Sequence, residues 1–198
     1  MKLYRPATVL VGILFVLLGG LTRLADPEHV FDDSSRVVKH GGIGQAVPFG
    51  GSSVSVDRLK FARAYLPDDS SGEKAIESNG IFVALEYDTV QGTAPTPGRD
   101  LKLTTDKGTV YRPISGTYGT QLDFADPGFG VVGAVVFEVN PADVTGLALQ
   151  VKTTQLFNVL AQDVEIDLGI PDEQVAQRLI DAAAPEYLIP KSVKRVAS

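Results

Sequence analysis

GIFVALEYD (residues 80–88) and VVGAVVFEV (residues 131–139) are the stretches whose reading decides the fold. In the first, Ile81, Val83, Leu85 and Tyr87 fall on one side, while Ala84, Glu86 and Asp88 fall on the other. A period of two belongs to a strand with one buried face. In the second, Val131, Gly133, Val135, Phe137 and Val139 repeat the pattern with Glu138 turned away. Leu147, Leu149 and Val151 continue it opposite Gln150 and Lys152, and Val164, Ile166 and Leu168 close the series. Between Ser53 and Tyr65 the parity slips, because Leu59 and Phe61 are one residue out of phase with Val54 and Val56. A β-bulge absorbs a slip of that kind.

Working outward, Leu101 to Thr105 and Thr109 to Arg112 flank Asp106, Lys107 and Gly108, a tight hairpin. Short strands punctuated by Gly and Pro, with no helical period between them, predict an all-β fold: an antiparallel β-sandwich of immunoglobulin-like type over residues 52–170. One short C-terminal helix is expected, started by Pro171 and Asp172, with Val175, Leu179 and Ala183 on one face and Pro185 as its stop. The cluster Lys191, Lys194 and Arg195 then reads as a solvated basic tail within residues 171–198.

The chain has 198 residues, 44% hydrophobic and 21% charged, which suits one folded domain with appendages. It has no cysteine, so a disulfide framework, a thiolate metal site, a cysteine nucleophile and a lipid anchor on cysteine are all excluded. The net charge of −6 opposes binding to nucleic acid, which needs a basic footprint.

Residues 7–22, ATVLVGILFVLLGGLT, are sixteen residues without a charge, preceded by Lys2 and Arg5. With Arg23 snorkelling and Leu24 and Ala25 included, the apolar run reaches about 28 Å as a helix, close to a hydrocarbon core of about 30 Å. It is expected to be a single transmembrane helix, residues 1–25, with Leu10, Ile13, Leu14 and Leu17 as anchor residues. The positive residues hold its N-terminal end in the cytoplasm and send the rest to the extracytoplasmic side. Cleavage as a secretory signal would need small residues before the cut, and the sites after Gly20 and Ala25 place Leu18 and Arg23 there instead. Residues 26–51, rich in Gly and Asp with Pro27 and Pro48, read as a flexible tether containing one short strand.

The order of GIFVALEYD, TTDKGTVYRP, DPGFGVVGAVVFEVNPADV and GLALQVK resembles the immunoglobulin-like domains of unknown function in exported actinobacterial and firmicute proteins, a group that includes small mycobacterial secreted antigens. The resemblance spans about residues 45–170 and is most specific from Pro127 to Pro141. It implies an exported or membrane-tethered binding domain and supplies no catalytic residues. Where such domains often carry an asparagine after the aromatic residue of the first strand, this chain has Asp88.

Other motifs have plainer readings. Gly128, Gly130 and Gly133 match dinucleotide-fingerprint spacing, but a β-branched strand follows them where a helix is required. Asp163, Glu165 and Asp167 share one face of a strand without a calcium-loop motif, so they read as a wet edge. His29 and His40 lie in the tether and fix no metal geometry, and no Gly-x-Ser-x-Gly elbow exists. The expectation is therefore no enzyme, with no catalytic, cofactor or metal residues. Two long loops, residues 89–99 and 113–130, stand out, and the second carries Tyr118, Leu122, Phe124 and Phe129 as candidates for an interaction surface. The expected function is a membrane-anchored extracytoplasmic module, an accessory subunit of a bacterial membrane or envelope complex. Its partners would be the membrane and other envelope proteins, with envelope lipid or glycan binding as the alternative and an envelope hydrolase as the weaker one.

Overall fold

The computed structural model describes residues 36–66, 74–114, 121–154 and 161–197. The chain divides into two units, Met1–Arg36 and Val37–Ser198, and all described residues after Arg36 belong to the second. Among the described residues no helix is long and apolar enough to cross a membrane. The expected anchor, with Leu10, Ile13, Leu14 and Leu17, lies outside them.

Eleven strands occur among the described residues: β1 (Val37–Gly42), β2 (Val47–Phe49), β3 (Ser52–Leu66), β4 (Ile76–Val90), β5 (Gly98–Thr104), β6 (Val110–Tyr111), β7 (Phe129–Val139), β8 (Ala148–Thr154), β9 (Gln162–Asp167), β10 (Ala184–Leu188) and β11 (Val193–Val196). They form two sheets, in the orders β1-β9-β8-β5-β6 and β10-β3-β4-β7-β11, with β2 also paired to β3. The chain carries a β-sandwich. Its core lies between the sheets, where Val83, Leu85, Val135 and Phe137 of one meet Leu103, Leu149, Val151 and Ile166 of the other.

The parity slip in β3 is a register irregularity between Val56 and Arg58, which leaves Asp57 as the extra residue. It returns Leu59 and Phe61 to the core side. The turn between β5 and β6 also follows the sequence: Gly108, at φ 80°, donates its N–H to Thr105 O, and Thr105 N donates to Thr109 O. Glycine adopts that φ without a Cβ penalty.

Three expectations require correction. The sandwich is not purely antiparallel, because β1 runs parallel to β9 and β10 parallel to β3. These partners are joined by long connections, so no hairpin imposes opposite directions on them. The tether, read as residues 26–51, is too long: β1 and β2 already belong to the two sheets, and Phe49 is fully buried. The tail after the helix is likewise part of the fold, supplying both outer strands of one sheet. The helix itself, α1 (Glu173–Asp181), starts where expected, with the Asp172 side chain accepting from Val175 N at 2.8 Å. It ends before Pro185, which sits in β10 at the sheet edge, where its missing N–H costs no ladder bond.

The C-terminal segment explains why β4 is buried on both faces. Phe82, Ala84 and Val136 point away from the main core, yet they are buried with Ile189 and packed by Tyr187 and Ile114. Tyr65 meets Phe82 edge to face, ring centroids 4.9 Å apart. Residues 184–197 thus form a strap: β10 on one edge, Ile189 on the outer face and β11 on the other edge.

Candidate functional site

Of the loop aromatics, Tyr118 lies outside the described residues and the other candidates separate into two kinds. Leu122 is fully buried in the main core. Phe124 is half-buried, stacked on Phe49 at 6.3 Å, with the Arg99 guanidinium 4.8 Å from its ring centroid. Arg99 also donates through Nη2 to Leu122 O. Leu122 therefore anchors the loop from inside the core and offers no binding surface, while Phe124 is half-buried against Phe49 and Arg99. Burying their apolar area is worth more to the fold than leaving it in water.

A polar network holds the same loop. Asp123 N donates to Tyr87 Oη at 3.0 Å, Thr89 Oγ1 donates to Asp123 O, and Ser192 Oγ donates to Asp123 Oδ2 at 2.9 Å. Burial raises the pKa of Tyr87, opposed by the Asp123 N–H it accepts. Burial lowers that of Arg99, opposed by the carboxylate of Asp123. Because Gly133 sits beneath this network, a Cβ there would lie 2.6 Å from Tyr87 Oη, so the strand needs glycine at that point.

Tyr187 is raised strongly, chiefly by burial and then by Glu86, and Tyr65 and Tyr111 are raised by burial as well. For a phenol whose folded pKa lies above its unfolded value of about 10, the stabilising contribution is complete below pH 10 and lost as pH rises through the folded pKa. Stability is therefore expected to fall above about pH 10. The check is denaturant unfolding against pH alongside tyrosinate absorbance, with Tyr187→Phe flattening the alkaline limb. An unchanged limb in that variant would contradict the assignment.

Phe129 is of the second kind. It is 43% exposed at the start of β7 and pairs in register with Val196 of β11. Val132, 40% exposed, pairs with Val193, and Val193 and Val196 are 62% and 72% exposed. Two apolar pairs thus join β7 and β11, Phe129 with Val196 and Val132 with Val193, one pair on each face of the sheet, and Lys194 lies 3.9 Å from Asp126. The neighbouring cation, Arg195, turns back to Asp88, donating through Nε at 3.1 Å and through Nη2. Sequence reading missed Val132, Val193 and Val196. The sequence carried little signal, because Val193 and Val196 are three residues apart and do not alternate, and the cluster Lys191, Lys194 and Arg195 suggested a tail.

The remaining motifs resolve into structure. Asp163 Oδ1 accepts from Thr153 N, Glu165 Oε2 from Gln150 Nε2, and Asp167 Oδ1 from Gly169 N, while His40 Nδ1 lies 3.4 Å from Glu165 Oε1. Among the described residues, no group of three or more metal-ligating side chains gathers. Gly130 and Gly133 stand within β7, so the fingerprint spacing precedes a strand.

No protein-family model matches the sequence, and no curated protein matches it. Among solved structures, an uncharacterized β-sandwich protein from Clostridium difficile 630 is similar, with 11% identity and a TM-score of 0.40, over 68% of this chain and 97% of that one. At that distance the likeness transfers no residue and no role.

Proposed function

We propose that this chain is a non-catalytic interaction module. Residues 1–25 anchor it in a bacterial membrane, and its immunoglobulin-like sandwich stands on the extracytoplasmic side as an accessory subunit of a membrane or envelope complex. The observation that carries the reading is the outer strand β11, whose Val193 and Val196 are exposed beside Phe129 and Val132. An apolar sheet edge left open is a template for a further strand, and folds normally blunt such edges.

The strand order supports the immunoglobulin-like part. With β3, β4 and β7 as strands A, B and E, and β5, β6, β8 and β9 as C, C′, F and G, the two sheets follow that scheme. The position beside E, which strand D holds in that scheme, is filled here by β11, from the far end of the chain. The membrane part rests on residues 7–22 alone.

The test is detergent extraction of the full chain from its own membranes and mass spectrometry of co-purified chains. Membrane or envelope proteins are expected in stoichiometric amount. Val196→Glu is expected to reduce them about tenfold, as loss of one central apolar anchor does, while changing stability by no more than about 0.5 kcal/mol. A lone monomer carrying lipid would replace this reading with that of a carrier, and a reporter at Ser198 found in the cytosol would overturn the topology.

A further inference from the structure

The β3–β4 ladder skips a step: Ala62 pairs with Phe82 and Ala64 with Glu77, and pairing of β4 with β7 begins only at Ile81. Ser78, Asn79 and Gly80 therefore have no register partner on either side. Asn79 is exposed, and its N–H donates to Glu138 Oε1 at 2.9 Å. The Gly80 N–H donates to Ser78 Oγ at 2.9 Å, and Ser78 Oγ donates in turn to Glu138 Oε1 at 2.8 Å. The amide of Gly80 is thus wired through a hydroxyl to a carboxylate, a proton path of the kind used in general-base catalysis.

We propose that Asn79 is a self-modification site, at which the Gly80 amide nitrogen attacks the Asn79 side-chain carbonyl with Glu138 as the base acting through Ser78. The Gly80 N–H proton passes to Ser78 Oγ as the hydroxyl proton passes to Glu138. A bond forms between Gly80 N and Asn79 Cγ, and the Cγ–Nδ2 bond breaks. The side-chain nitrogen leaves as ammonia with that proton, and a five-membered imide remains. Water then opens the imide at either carbonyl, giving aspartate or isoaspartate. No electron donor or acceptor is required.

Glycine after asparagine offers the attacking nitrogen with no side chain in the way, and asparagine is among the thermolabile residues. Here the glycine is also fixed by packing, since a Cβ at Gly80 would lie 2.4 Å from Val139 O. The bulge demands the residue that makes the asparagine labile. The product adds a carboxylate at the residue whose own N–H donates to Glu138, and neighbouring like charges repel. Isoaspartate also lengthens the main chain against Val139. Both changes loosen the far end of the β3–β4 hairpin.

The chain carries its own controls. Asn140 precedes Pro141, which has no N–H to attack with, and Asn158 precedes the branched Val159. The experiment incubates the purified full chain in mildly alkaline buffer, then maps peptides by mass spectrometry and labels isoaspartate with the repair methyltransferase. Expected is the amide-to-acid mass gain with isoaspartate at Asn79 ahead of Asn158, and none at Asn140. Glu138→Gln, a surface change, is expected to slow Asn79 conversion about tenfold, the low end for a general base, and Ser78→Ala by a similar factor. Conversion of Asn158 before Asn79 would overturn the site. Equal rates in wild type and both variants would overturn the assigned base.

Discussion

Phe137→Ala is expected to cost about 3–5 kcal/mol of stability, whereas Phe129→Ala, on the same strand, is expected to cost less than about 1 kcal/mol. Phe137 is fully buried between the sheets and pairs in register with Val83, so truncation leaves a cavity walled by residues of both sheets. The cavity adds to the lost transfer energy because a close-packed interior relaxes only in part. Phe129 has water on much of its ring and leaves no void. Urea unfolding followed by circular dichroism measures both. The binding readout should reverse the order, with Phe129→Ala losing co-purified chains while remaining folded. Equal costs for the two variants would mean that the sheets do not pack as described.

Ending the chain after Ala183 is expected to cost about 3 kcal/mol or more. Burial of Ile189 accounts for roughly 1.5–3 kcal/mol. Its loss uncovers Phe82, Ala84 and Val136 on the outer face. Asp88 also loses Arg195, whose guanidinium is about a third exposed, which adds about 1 kcal/mol once solvent screening is allowed for. Helix α1 stays, because Ala176, Val175 and Leu179 pack on the main core and not on the strap. The expected observations are a lowered urea midpoint and a rise in fluorescence of a dye that reports apolar surface. A truncated chain with wild-type stability and no dye binding would show that the strap is dispensable.

Alternation was legible wherever one strand face meets the core, and even the one-residue slip at Asp57 could be read from Val54, Val56, Leu59 and Phe61. Outer strands were not legible. In β1, β10 and β11 the pattern is diluted by Gly41, Gly42, Pro185, Lys194 and Arg195, none of which marks a buried strand face. Their partners lie far away in sequence, so no short turn announces them. The burial of Phe82 and Ala84 depends on a segment about a hundred residues later, which local periodicity cannot see. The site was legible only in part for a related reason. Loops have no period, so nothing distinguished Leu122, which caps the core, from Phe129, which stays in water.

The bond between Asp88 and Arg195 joins residues 107 positions apart. Strands β3 and β7 therefore wait until the end of synthesis for their outer neighbours, β10 and β11. Contacts of such range close late and slowly. A nascent chain in that condition keeps one sheet without its two outer strands until residues 184–196 emerge and complete it.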